Sequence, residues 1–168
     1  MHSYSFFYWG PLLFKTKMLD KDLKKCAKLC SKQSESARGI LAGVIKYEQY
    51  VNITKFHKIM EPYFVSFRDC YKHWYGKDLH KKIVTLKAWV NFMRPGEFNP
   101  PHIHTDCDLS SVLFIKVSKK IKEEHKAFVE RAGAIDNIAR VGPGSLSFTF
   151  GESRPYTPNS QYFFPEEG

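Results

Sequence analysis

The residues of this chain that could do chemistry crowd into one stretch, Asn99-Pro100-Pro101-His102-Ile103-His104-Thr105-Asp106-Cys107-Asp108. Pro100 and Pro101 hold the backbone extended. On extended backbone, side chains two apart share a face, so His102 and His104 point the same way. Two imidazoles on one face, with carboxylates a few residues on, suit a divalent transition metal such as iron. A polar loop between strands is the competing explanation, and composition alone does not separate the two.

The flanking elements would have to position this stretch. Upstream, Val84, Leu86, Ala88, Val90 and Phe92 alternate with Thr85, Lys87, Trp89 and Asn91, the period-2 pattern of a half-buried strand. Downstream, Leu109, Ser111, Leu113, Ile115 and Val117 alternate with Ser110, Val112, Phe114 and Lys116. Arg94-Pro95-Gly96 between them is a turn signal. Residues 4–14 read as a first strand that ends at, or continues just past, Gly10-Pro11. Asp20 suits the N-cap of a helix with Leu19, Leu23, Ala27 and Cys30 on its apolar face. Residues 31–43, richer in Ser and Gly, read as a loop around a short segment. From about Thr54, Phe56, Met60, Phe64, Phe67, Tyr71 and Trp74 recur at helical spacing. Pro62 should kink that helix or restart it, and Gly76 should end it. Residues 121–132 read as a short helix or an excursion between strands. Val141-Gly142-Pro143-Gly144 reads as a tight turn, Leu146-Phe148-Phe150 as a strand, residues 151–160 as a loop, and Tyr162-Phe163-Phe164 as a final strand. Helices first and short strands afterwards suggest an α+β, mainly β chain, a β-sandwich or barrel with an N-terminal helical buttress. Helical support would span 17–80 and the β core 83–168, within a single domain of residues 1–168.

The run from Trp89 to His104, followed by Asp108-Leu109-Ser110-Ser111-Val112-Leu113-Phe114, resembles the 2-oxoglutarate/Fe(II)-dependent oxygenases of tailed marine phages. Tyr8-Trp9-Gly10-Pro11-Leu12-Leu13-Phe14 resembles the start of that family, and Gly142-Pro143-Gly144-Ser145 through Phe150-Gly151 its middle. The resemblance implies a double-stranded β-helix (jelly-roll) fold, Fe(II) and 2-oxoglutarate as cofactors, and two histidines and a carboxylate as ligands. Two registers fit. His102-Ile103-His104 matches the phage-type pattern, whereas His104-Thr105-Asp106 is a literal His-x-Asp. The metal candidates are therefore His102, His104 and Asp106, with His102 paired to either His104 or Asp106. Asp108 suits capping or a hydrogen bond to a site histidine, and Cys107 is an outlying soft donor. The family continues into strands bearing a distal histidine and an arginine for 2-oxoglutarate. Here nothing follows Gly168 and no arginine follows Arg154, so the resemblance implies a C-terminally incomplete domain, inactive alone and prone to self-association. The rival function is a non-catalytic jelly-roll module for binding or phage assembly.

Composition bounds the partners. Hydrophobic residues make up 43% and aromatics 15% of the 168 residues, enough for a packed core. No run approaches a membrane span, and Phe6–Phe14 lacks the basic flank of a signal peptide. Cys26 and Cys30, four apart on a helix, read as small buried thiols, and four cysteines in all suit a reducing cytoplasm, that of the host if a phage encodes the chain. The net charge of +9 is concentrated in Lys15, Lys17, Lys21, Lys24, Lys25, Lys28 and Lys32, with a second cluster at Lys77, Lys81 and Lys82. That surface would attract an acidic partner, against the blander expectation of a solvated helix face. The oxygenase substrate would be a protein side chain, a nucleobase or a small molecule.

Overall fold

The computed structural model describes residues 2–7, 10–32, 34–39, 43–132, 142, 144–151 and 160–168. It divides into two compact units. One comprises the N-terminal residues to Phe7 and Leu12–Val112; the other comprises Leu113–Gly168 with Gly10 and Pro11. The loop expected over residues 151–160 lies mostly outside the described residues, as do Arg154, Tyr8, Trp9, Val141 and Pro143.

In the first unit, strands β1 (Tyr4–Phe7) and β2 (Leu13–Thr16) form an antiparallel hairpin with Phe6 opposite Phe14. The single strand expected over residues 4–14 is thus two, because Gly10, at φ 95°, adopts a conformation that suits a reversal. Helix α1 (Asp20–Cys30) begins one residue earlier than expected, with Leu19 at the N-cap and Asp20 and Asp22 in the first turn, where the helix dipole favours them. Its buried line is Asp22, Cys26 and Cys30. Both cysteines are the buried thiols expected, and burial pushes the Cys26 thiol up to about 11.

Helix α2 (Ile53–Tyr75) starts at Asn52, whose side chain accepts the Lys55 N–H at 2.9 Å, and stops at Gly76 in the left-handed conformation. It runs through Pro62 without ending. Its aromatic stripe packs as core, but against the N-terminal hairpin and not against strands from Ile83 onward. Phe67 meets Phe14 edge-on at 5.7 Å and Trp74 meets Phe6 edge-on at 5.4 Å. Beside that stripe runs the fully buried line Tyr63, Ser66 and Cys70. The Tyr63 hydroxyl accepts the Leu19 N–H at 2.9 Å and donates to Asp22 at 3.2 Å, while Lys25 Nζ donates to Asp22 at 2.8 Å. The two helices are therefore locked at the start of α1.

Strand β3 (Glu48–Tyr50) pairs antiparallel with β4 (Trp89–Asn91), placing Glu48 opposite Asn91 and Tyr50 opposite Trp89. Residues 35–37 flank β3 on its other edge, through Ala37 N–H to Glu48 O and Tyr50 N–H to Glu35 O. Gln49, on the opposite face, donates to the carbonyls of Cys30 and Lys32 and so fastens β3 to the end of α1. Of the strand expected over residues 84–92, the ladder takes only 89–91. His57 holds Thr85 at 2.8 Å, and Val84 and Leu86 are exposed, while Ala88 of the same half of the alternation is buried.

In the second unit, helix α3 (Lys119–Ala132) forms where a helix or an excursion was expected. Ser118 Oγ accepts the Ile121 N–H at its start, and three Lys–Glu pairs at i,i+4 line the solvated face. Strands β5 (Leu146–Thr149) and β6 (Ser160–Phe163) pair antiparallel. Gly142 and Ser145 close a turn ahead of β5. The strand expected over residues 109–117 forms no ladder. Instead its C-terminal part is tied individually, Phe114 O to Gly168 N–H and Val117 N–H to the Glu167 carboxylate. Among the described residues, no helix is long and apolar enough to cross a membrane.

The Tyr63 junction makes two predictions. Tyr63→Phe leaves the Leu19 N–H and Asp22 each short of a partner and should cost about 1–2 kcal/mol in denaturant melts. Lys25 above all, then Tyr63, holds the Asp22 carboxyl below its ordinary value against the opposing effect of burial. A lowered folded-state pKa means this contribution is complete above the unfolded value and disappears as pH falls through the folded one. Melts from pH 7 to pH 2 should therefore show a smaller acid-side loss in Asp22→Asn than in the parent.

Candidate functional site

The histidine stretch is held at its entrance by residues 43–47. Phe92 donates its N–H to Tyr47 O at 2.9 Å, and Val44 donates to Phe98 O at 2.9 Å. Between them Arg94-Pro95-Gly96-Glu97 forms the expected turn, closed by Glu97 N–H to Arg94 O at 3.0 Å with Gly96 at φ 84°. The Glu97 carboxylate accepts the N–H of Arg94 at 2.8 Å and of Lys46 at 3.1 Å, and the Arg94 guanidinium lies 4.3 Å over the Tyr47 ring. Gly43 leaves room for the Asn99 side-chain oxygen where a Cβ would sit. Up to Asn99 the chain is thus fixed, and from Pro101 to Val112 every residue is exposed.

Beyond this anchor the two histidines come together, as extended backbone requires. Their rings meet edge-on with centroids 4.9 Å apart. His102 Nδ1 lies 2.7 Å from the Pro100 carbonyl oxygen. A carbonyl can only accept, so Nδ1 carries the hydrogen and Nε2 presents its lone pair outward, the arrangement a metal-binding imidazole needs. His104 leans on the Trp89 ring at 6.0 Å. Trp89, the first residue of β4, is a supporting residue to which the alternation pattern gave no role.

Asp106 does not join them. Its carboxylate sits 3.8 Å from Lys87 Nζ and accepts from Thr105 Oγ1 at 3.3 Å, in the open. Cys107 and Asp108 are exposed on the same segment. Among the described residues, no three His, Cys, Asp or Glu side chains converge as a metal would require. Of the three candidates, His102 and His104 therefore lie together, and the Asp106 carboxylate is paired with Lys87 instead. His125, in the second unit, stacks on Phe164 with centroids 3.8 Å apart. It serves packing there.

Comparison with family models, curated proteins and solved structures found no match.

The two histidines make a specific prediction. His102→Ala and His104→Ala should each abolish Fe(II) or Co(II) binding in anaerobic calorimetry, while His125→Ala should leave it unchanged. Equal losses from His102→Ala and His125→Ala would refute the assignment.

Proposed function

We propose that the chain is an oxygenase-type domain in which His102 and His104 hold Fe(II) and 2-oxoglutarate serves as cosubstrate. The observation that carries this reading is the His102 ring, hydrogen-bonded through Nδ1 to Pro100 O and open at Nε2, 4.9 Å from a second imidazole. The resemblance of residues 89–114 to phage oxygenases supplies the reaction class, hydroxylation of a protein side chain, a nucleobase or a small molecule. Iron, when bound, would supply the oxygen chemistry. The residues of this chain contribute position. The Glu97 turn fixes where the stretch begins, Pro100 fixes the tautomer of His102, and Trp89 limits the tilt of His104. The proposed fold is the double-stranded β-helix of that family; the described strands form three separate antiparallel pairs.

A second reading, a non-catalytic jelly-roll binding module, is favoured by one observation, the Asp106–Lys87 pair that occupies the carboxylate of the set. The exposed lysines of α1, Lys21, Lys24 and Lys28, give such a module a surface for an acidic partner. Outward-facing Val84, Leu86 and Val112 give support to self-association.

Lys87 separates the two readings. An exposed ion pair is worth at most about 1 kcal/mol, so a metal could capture Asp106 at little cost. Under argon, Fe(II) should bind, and Lys87→Ala should increase the affinity by freeing Asp106. Absence of any Fe(II) binding in both proteins would leave the binding module as the function.

A further inference from the structure

Glu48 is the most anomalous side chain among the described residues. It is 4% exposed, and both of its carboxylate oxygens are buried without a hydrogen-bond partner. Its cross-strand partner Asn91 has the same defect, a buried side-chain oxygen that accepts nothing. Residues directly opposite in an antiparallel pair point to the same face with Cβ atoms about 5 Å apart. Three acceptor oxygens thus share one small site, and none has a donor.

A charged carboxylate left in that state is strongly destabilising, far more than an exposed ion pair stabilises. Something must donate. Two charged groups act on Glu48 from the elements packed around it, Arg38 beyond the flanking 35–37 segment and Glu97 from the turn, with opposite signs. The oxygens of Glu97 are already engaged, accepting two backbone N–H groups. Arg38 is exposed. A divalent cation would need about six oxygens and finds three here, beside an arginine. A proton needs only two.

We infer that Glu48 carries its proton and donates it to Asn91 Oδ1, a neutral acid–amide clasp between β3 and β4 that opens when the acid ionises. Desolvation pushes the Glu48 carboxyl above its ordinary value, Arg38 pulls it down and Glu97 pushes it up, with the net direction upward. The clasp lies two rungs from Tyr50–Trp89 and on the same face, so it secures the strand that carries the ring under His104. It stands whether or not a metal binds.

The pH dependence has a definite sign. A folded-state pKa raised above the unfolded value means the clasp stabilises fully below the unfolded pKa of Glu48, and that contribution is lost as pH rises through the folded one. Glu48→Gln keeps the shape and supplies a permanent N–H donor. Relative to the parent, E48Q should melt at the same temperature near pH 4 and several degrees higher near pH 8. Hydrogen exchange should show the same effect locally. The Phe92 and Val51 amides, bonded to Tyr47 O and Ala88 O beside the clasp, should lose protection with rising pH in the parent and keep it in E48Q. In the parent labelled with 13C-glutamate, infrared difference spectra should show one carboxyl that stays protonated above the pH at which the other glutamates ionise, and this reading survives even if E48Q fails to fold. A parent whose glutamates all ionise together, or an E48Q whose pH profile parallels the parent's, would overturn the clasp.

Discussion

The first compact unit depends on the hydroxyl of Tyr63. It accepts the backbone N–H that opens α1 and donates to the buried Asp22 one turn in, so one atom satisfies two polar groups that burial would otherwise penalise. Lys25 supplies the compensating charge from the solvent side. With α1 held there, its far end receives the Gln49 side chain, and β3 is set in register with β4. The position of β4 fixes Trp89 and, five residues on, the Arg94–Glu97 turn. The exposed histidines thus inherit their placement through a chain of contacts that begins at one tyrosine.

Order declines along that chain. Helix α2 has a capped start, a glycine stop and an aromatic stripe in contact with the hairpin. The β3–β4 ladder has three rungs and carries a buried acid. The histidine stretch has a fixed entrance and then only local bonds, each between residues no more than two apart or across an exposed ion pair. A segment of this kind opens at low free-energy cost, which is the usual condition of a ligand-binding loop.

Helix α2 was legible in the sequence because its signals are local: a repeat with a period near 3.6 stops at Gly76. For α3 the sequence fits a helix or an excursion equally, because its few apolar anchors mark no face and its i,i+4 Lys–Glu pairs are individually weak. Strands were less legible. Alternation over residues 84–92 announced a strand, but only Trp89–Asn91 found a partner. β3 carries no alternation in Glu48-Gln49-Tyr50, and its ladder partner β4 is distant in sequence, so nothing local marked it. At the site, the spacing of His102 and His104 did foretell that their rings would meet. The separation of Asp106 from them came from Lys87, a residue 19 positions upstream that no motif includes.

The same contrast bears on how the site could work. A two-imidazole pair in water, without a third donor, binds a metal weakly, whereas a histidine pair plus carboxylate encloses one face of it. The carboxylate lies on the same exposed stretch, two residues beyond His104, and its tie to Lys87 is an interaction of the weakest kind. The histidines and the carboxylate thus differ in what orients them. The rings are set by extended backbone and by the Pro100 carbonyl, both local to the stretch, whereas the carboxylate is oriented by an ammonium 19 positions upstream. Removing that one exposed pair changes nothing in β3, β4 or the Glu97 turn, so the orientation of Asp106 is the least constrained feature of the stretch.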